Sequence, residues 1–332
     1  MTIWKKILNF LKSPKVSLPL GIFISLACLY WAFHDFDLVL FYTALKSTNY
    51  FYILLACAIM VLTLWIRGIR WTYLLSEEKK LTAYQLFRME SIGYFGSYVL
   101  PLRLGELLRT YVLSKEEKMS GTVIFGSIVL ERILDTFGLM FISILLVLIY
   151  PLPDDIRNFI IIGFAGIIVF AALLYFVIRS LSRSGTQAGF ILFLKRFFSS
   201  FTVLNGPYCW QTIFLSLSLW FLYWICTHLI QMALHLDMAA YESLIVLIIG
   251  TVAISIPSAP GMIGTYHAGI KYIMTDILGG YTAADGINYA ILLHGYAYIV
   301  FIALGGWYFF RSQFHKGTIS KLFNREVLDH ED

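Results

Sequence analysis

Charged residues are scarce in this sequence, at 14% of its 332 residues, whereas soluble globular proteins carry about 25%. Hydrophobic residues reach 59%, and the mean hydropathy is +0.76. So small a charged fraction argues against a soluble domain of this length. The composition instead predicts a helical membrane protein.

Motifs for ATP, metal or redox chemistry are also missing. The sequence has no P-loop and no HExxH motif. Its four cysteines stand in apolar segments without metal or redox spacing, at Cys28, Cys57, Cys209 and Cys226. We therefore expect no metal, no cofactor and no enzymatic activity.

Apolar runs dominate what is present, and basic residues alternate with them. The net charge of +5 therefore indicates membrane topology rather than a nucleic-acid partner. A membrane-spanning helix needs about 20 apolar residues, and the candidate runs are 17–33, 50–66, 121–150, 159–178, 209–236 and 287–310. The predicted fold is an all-α polytopic membrane protein with about six full transmembrane helices plus two re-entrant or broken helical hairpins.

The first predicted hairpin is centred on Pro101 and Gly105. These residues break a segment that is too polar for a lipid-facing span, and they leave Arg103, Glu106 and Arg109 beside the break. Non-helical backbone at membrane depth is tolerated only where protein buries it or where it lines water. The break therefore predicts the wall of a polar cavity.

A similar interruption occurs in the second half of the chain, in SIPSAPGMIGTYHAGI. It contains Pro257, Pro260, Gly261 and Gly264, and Pro260 and Gly264 repeat the four-residue interval of the first break. His267 follows, either as a titrating group of the site or as a plain hydrogen-bonding histidine. Two interrupted segments at matching places are typical of inverted repeats.

Ionisable residues inside the apolar runs form the other candidate site. Arg67 and Arg70 are three apart on one helix face, and Glu131 and Asp135 are four apart on another, with Arg132 about 100° round the helix. The arginines either anchor the helix end at the cytoplasmic surface or bind a phosphate. The acidic group either holds the fold together or exchanges partners with a charged ligand.

Positive-charge bias predicts the topology. If both termini are cytoplasmic and both hairpins are re-entrant, the basic residues expected on the outer side are only Lys46, Arg157 and Lys271. The predicted organisation is a basic N-terminus at 1–16, one transmembrane domain at 17–311 and a cytoplasmic tail at 312–332. The pseudo-repeats, about 17–155 and 156–311, then have opposite orientation, which suits alternating access.

Four ordered motifs, RGIRW, LPLRLGELLR, VLERILDTFG and SIPSAPGMIGTYHAG, resemble those of the flippase-like family that includes the transmembrane region of bacterial lysylphosphatidylglycerol synthases. The resemblance implies a prokaryotic inner-membrane protein that moves polar lipids between leaflets. The matching positions are Arg67, Arg70, Pro101, Arg103, Gly105, Glu106, Arg109, Glu131, Arg132, Asp135, Pro257, Gly261 and Gly264.

Two departures from the family accompany the resemblance. Many members have an acidic residue near where this chain has Tyr266 and His267. No soluble transferase half follows Arg311, so we expect no synthase activity.

Three hypotheses remain at this point. The first is a lipid flippase in which arginines bind a phosphate, Glu106 and Asp135 hold those arginines when the site is empty, and His267 belongs to the site. The second is an intramembrane transferase with Glu106 or Asp135 as general base. The third is a scaffold whose charged network is structural. The expected partners are a membrane lipid, the bilayer and either a second copy or a separate lipid-synthesising enzyme.

Overall fold

Helices make up the regular structure of this protein. The computed structural model describes residues 26–34, 36–100, 104–152, 154, 156–158, 160–166, 168–169, 197, 199–255 and 260–312, and no strand occurs among them. The α-helices are α1 (Leu38–Ser47), α2 (Tyr50–Leu74), α3 (Ala83–Val99), α4 (Gly105–Glu117), α5 (Gly121–Ile149), α6 (Cys209–Ala233), α7 (Ala240–Ser255), α8 (Thr265–Tyr272) and α9 (Ala283–Arg311). Residues 26–33 are also helical.

Four of these helices, α2, α5, α6 and α9, are long and apolar enough to cross a membrane. Each has 25 or 29 residues, and at 1.5 Å per residue this exceeds the roughly 30 Å hydrocarbon core of a bilayer. The all-helical membrane class predicted from composition is confirmed. The predicted spans at 17–33 and 159–178 lie about half outside the described residues, and their described residues are helical.

The helix bounds differ from the predicted spans in two informative places. Helix α2 continues to Leu74, so Arg67 and Arg70 lie inside it rather than beyond its end. Helix α1 was not predicted at all. The Asp37 carboxylate caps α1 by accepting hydrogen bonds from the backbone of Val39 at 2.7 Å and Leu40 at 3.1 Å, which satisfies two otherwise unpaired N–H groups.

The first break separates α3 from α4, which lie antiparallel. A Cβ on Gly93 would stand 2.8 Å from Arg109 Cδ, and one on Gly96 would stand 2.8 Å from Gly105 Cα. Gly105 itself lies against the Gly93 carbonyl. These close approaches need glycine because a side chain would separate the two backbones.

The second break lies between α7 and α8. A short 3₁₀ turn, Pro260–Met262, is followed by Gly264 with φ of 98°, and Gly261 has φ of 70°. Glycine adopts such left-handed backbone without strain. Helices α7 and α8 then pack antiparallel, since a Cβ on Gly269 would stand 2.8 Å from Ala253 Cβ.

Two compact units emerge from the contacts within the chain. Among the described residues, unit 1 comprises those up to Leu64, Arg88–Arg109 and those from Phe221 onward. Unit 2 comprises Trp65–Phe87 and Thr110–Trp220. Each unit draws on both halves of the sequence, so the predicted repeats at 17–155 and 156–311 stay a prediction.

Candidate functional site

A cluster of five ionisable side chains lies within unit 2, where α2 faces α5. Helix α2 contributes Arg67 and Arg70, and α5 contributes Glu131, Arg132 and Asp135. The three- and four-residue spacings put each pair on one face of its helix, as the sequence predicted. We call these five residues the ion cluster.

Both carboxylates of the ion cluster bind both α2 arginines. Arg67 Nη1 lies 2.8 Å from Glu131 Oε1 and 3.0 Å from Asp135 Oδ2. Arg70 Nη1 lies 2.7 Å from Asp135 Oδ1, and Arg70 Nη2 lies 3.4 Å from Glu131 Oε1. The contacts of 2.7 to 3.0 Å are charge-assisted hydrogen bonds, which are about twice as strong as neutral ones.

Arg132 also belongs to the cluster, although the helical wheel turns it away from the acidic face. Its Nη2 donates to Glu131 Oε1 at 2.7 Å, and its Nη1 lies 3.5 Å from Asp135 Oδ2. Its side chain is 40% exposed, while that of Arg70 is 0% exposed. A long side chain can thus join a buried network and still keep part of its surface accessible.

Helix α6 completes the surroundings of the cluster. Ser216 Oγ accepts a hydrogen bond from Arg70 Nη1 at 2.9 Å. Trp220 Nε1 donates to the Asp135 carbonyl at 2.8 Å. The indole reaches this position because residue 138 is glycine, where a Cβ would stand 2.4 Å from Trp220 Cδ1.

A further tryptophan hydrogen bond joins α2 to α5 beside the cluster. The fully buried Trp71 donates from Nε1 to Ser127 Oγ at 2.8 Å. Buried indoles normally need such an acceptor. This contact and the ion pairs together fix the register between the two helices.

Cationic groups outnumber anionic ones among the described members of the cluster. Among the described residues it combines three guanidinium groups with two carboxylates. Arg70 Nε and Nη2 are buried donors that make no hydrogen bond within the described structure. Buried donors lacking an acceptor cost free energy, and a phosphate oxygen is the kind of acceptor that arginine binds well.

Arg109 lies in a different ion pair, within unit 1. Its guanidinium contacts the Glu90 carboxylate, and both side chains are almost fully buried. The aliphatic part of the Arg109 side chain packs against Gly93. Glu106, which the sequence assigned to the same site, lies in the first turn of α4, where a carboxylate is favoured by the helix dipole.

His267, also assigned to the site, is buried in α8 of unit 1 next to His294 of α9. Of the residues assigned to the breaks, Gly105 begins α4, Pro260 begins the 3₁₀ turn, and Gly261 and Gly264 have positive φ. Pro101, Arg103 and Pro257 lie outside the described residues.

Sequence reasoning did not assign Glu90, Ser216 or Trp220 to a site. A carboxylate within the predicted hairpin segment 81–100 was a usable signal for Glu90. Ser216 and Trp220 gave no signal, because serine and tryptophan are ordinary residues of membrane helices. Among the described residues, no group of three or more histidine, cysteine or acidic side chains is placed to hold a metal ion.

Comparison with known proteins gives one match. Residues 19–305 match the family model described as the lysylphosphatidylglycerol synthase TM region. No curated protein and no solved structure matches the chain. The match covers most of the 332 residues and contains the ion cluster and both breaks.

Proposed function

Because this chain belongs to the lysylphosphatidylglycerol synthase TM region family, we propose that it moves a phosphate-bearing lipid head group between membrane leaflets. The coarser conclusion, a membrane protein with a lipid-related role, follows from the family and from the four long apolar helices. The proposal adds the chemistry of the head group and the act of transport.

The ion cluster is the observation that carries this proposal. Ionisable groups at the centre of a membrane helix cost roughly 2.5–3.5 kcal/mol or more each, so they persist where they are paired or functional. Here the pairing is extensive, yet the buried Arg70 Nε has no hydrogen-bond acceptor, and Arg70 Nη2 has only its ion-pair contact of 3.4 Å with Glu131. A network built only for stability would gain by satisfying those donors.

The proposed binding step is an exchange of partners. The phosphate approaches Arg132, the cluster arginine with the most exposed side chain, at 40%. The phosphate oxygens then take the place of the carboxylate oxygens as acceptors for the guanidinium groups. Once the lipid leaves, Glu131 and Asp135 pair with the arginines again. The carboxylates therefore keep the cationic groups paired between transport cycles, which lowers the cost of an empty site.

The proposed transport step uses the two breaks. Interrupted helices in inverted repeats form sites near the bilayer midplane, and the repeats rock against each other in alternating access. The antiparallel α3 and α4, and the glycine turn before α8, support two such hairpins. We propose a prokaryotic inner-membrane location with both termini cytoplasmic, and either a second copy or a lipid-synthesising enzyme as partner.

The transferase hypothesis assigns Glu106 or Asp135 as general base. Both Asp135 carboxylate oxygens accept hydrogen bonds from guanidinium groups, so a substrate would have to compete with two arginines for that carboxylate. Formation of a new lipid product by the purified protein would favour the transferase hypothesis, and its absence would favour transport. The scaffold hypothesis is separated from transport by the experiment below.

The test is native mass spectrometry of the purified protein, which identifies the lipids that remain bound. The Arg132→Gln variant is compared with the parent and with Arg157→Gln. Arg157 is a matched control because its side chain is 48% exposed and pairs with Asp154 at 2.7 Å, away from the cluster.

We expect the parent and Arg157→Gln to retain one class of phosphate-bearing lipid and Arg132→Gln to lose it. If all three proteins carry the same nonselective lipids, the cluster is structural and the scaffold hypothesis replaces the proposal.

A further inference from the structure

Two buried histidines in unit 1 form a second polar site, separate from the ion cluster. His267 of α8 and His294 of α9 are each 7% exposed, and their ring centroids are 5.1 Å apart. His267 Nδ1 and His294 Nε2 are buried and make no hydrogen bond within the described structure. We call these two residues the histidine pair.

A buried imidazole nitrogen normally has a hydrogen-bond partner. The neutral ring has one donor and one acceptor nitrogen, so the unpaired nitrogen of each histidine can form one hydrogen bond with a ligand.

Aromatic rings surround the histidine pair. The His294 ring lies 5.2 Å from Tyr266, 5.7 Å from Tyr98 and 6.0 Å from Tyr298, measured between centroids. The His267 ring lies 5.7 Å from Phe33. These neighbours come from α3, α8, α9 and the helical residues 26–33.

None of the ring neighbours described for the pair carries a formal charge. The nearby Lys271, one turn after His267, directs its Nζ to the carbonyl oxygens of Trp31 at 3.3 Å and Ala32 at 3.4 Å. A buried site of neutral imidazoles and aromatic faces disfavours an ion, because the ring neighbours offer no opposite charge and Lys271 is engaged by the two carbonyl oxygens. It suits an uncharged group that both donates and accepts hydrogen bonds.

Hydroxyl groups have this property, since each is one donor and two acceptors. A polyol also presents C–H surfaces that pack on aromatic rings, and binding sites commonly combine apolar walls with a few polar groups that set orientation. We infer that the histidine pair binds the hydroxyl groups of an uncharged polyol, either glycerol or a sugar, in a lipid head group. This inference rests on the proposed lipid-handling function and adds the chemistry beyond the phosphate.

The test compares two phosphodiester lipids that differ only in hydroxyl groups. Phosphatidylglycerol and phosphatidylpropanol with identical acyl chains are mixed in equal amounts with the detergent-purified protein, and the retained lipids are counted by native mass spectrometry. Both offer the same phosphate charge, so the ion cluster does not discriminate between them. Monoglucosyl diacylglycerol, which has a sugar and no phosphate, forms a third arm.

If glycerol is the polyol, the parent should retain about fivefold more phosphatidylglycerol than phosphatidylpropanol, because hydrogen bonds of ordinary strength give a preference of that size. If a sugar is the polyol, the glucosyl lipid is retained instead. Either preference should vanish in the double variant His267→Phe and His294→Phe, which keeps ring shapes and removes the nitrogens. His228→Phe is the control, because it removes another buried unpaired imidazole nitrogen outside the pair.

The inference would be overturned if the parent retained the two phosphodiester lipids equally and did not retain the glucosyl lipid. This outcome is measured on the parent alone, so it does not depend on whether a variant folds. A preference that survives in the double variant would overturn it as well. In either case, loss of phosphodiester lipids in Arg132→Gln would leave the proposed function standing.

Discussion

Arg70 and Asp135 form an ion pair of 2.7 Å inside unit 2, and the Arg70 side chain is 0% exposed. The pair joins α2 to α5, two helices long enough to cross a membrane. Burying two charges is favourable only when each is well paired, and removing one partner leaves the other stranded. The stability of this region therefore depends on charge as well as on apolar packing.

Asp135→Asn should destabilise the protein strongly. The substitution leaves Arg67 and Arg70 buried with one carboxylate between them, and stranding a buried charge costs about 3–5 kcal/mol. The measurement is the free energy of unfolding in mixed micelles titrated with SDS. Asp154→Asn is the control, since its side chain is 77% exposed and its pairing with Arg157 contributes little. Equal effects of the two substitutions would show that the cluster does not stabilise the fold.

Gly138→Ala should weaken the contact between α5 and α6. Its new Cβ would stand 2.4 Å from Trp220 Cδ1, so the indole has to move and its hydrogen bond to the Asp135 carbonyl is lost. Overpacking of this kind costs about 1–3 kcal/mol. Gly163→Ala meets no heavy atom within 4 Å and should leave the melting temperature unchanged. A melting temperature equally unaffected by Gly138→Ala would contradict the described position of Trp220.

Glu90 and Arg109 should show strong coupling in a double-mutant cycle. Each single variant, Glu90→Gln or Arg109→Met, removes one partner of a buried ion pair, and we expect a loss of about 3–5 kcal/mol in unfolding free energy. The double variant should recover most of that loss, because both charges are then gone. Additive losses in the double variant would mean that the two side chains do not depend on each other.

Gly261→Ala should destabilise the protein at the second break. Gly261 has φ of 70° and ψ of 8°, a left-handed conformation that costs a residue with a Cβ about 1–2 kcal/mol. The new Cβ would also stand 3.2 Å from Tyr298 Cε2. The measurement is the melting temperature. Gly295→Ala is the control, since Gly295 lies within α9 and nothing stands within 4 Å of its Cβ. Equal melting temperatures of the two variants would contradict the described backbone and packing at Gly261.

Much of the fold could be predicted from composition and hydropathy. The bounds of α5 and α9 follow from apolar runs that are long enough to span a membrane, and the Pro–Gly clusters mark both breaks. Helix α1 was missed because ten residues with a polar boundary on each side are too short to indicate a span. The predicted end of α2 was too early, because arginine after an apolar run usually indicates the membrane surface.

The partners within the candidate site were harder to predict than its members. Spacing identified Arg67, Arg70, Glu131 and Asp135, because each pair shares a helix face. It could not show that Glu90 pairs with Arg109, or that Ser216 and Trp220 contact the cluster, since such pairings depend on how helices distant in sequence pack. Helical periodicity also placed Arg132 away from the acidic face, yet its flexible side chain reaches back to both carboxylates.

The most direct test of the proposed function is lipid translocation in proteoliposomes. Fluorescent phosphatidylglycerol is reconstituted with the parent, Arg132→Gln or Arg157→Gln, and the fluorescence lost to an impermeant quencher reports which leaflet holds the lipid. Losing a charge-assisted contact to phosphate should slow translocation by Arg132→Gln about tenfold or more, while Arg157→Gln should match the parent. Equal rates in all three proteins, or a parent no faster than empty vesicles, would contradict transport through the ion cluster.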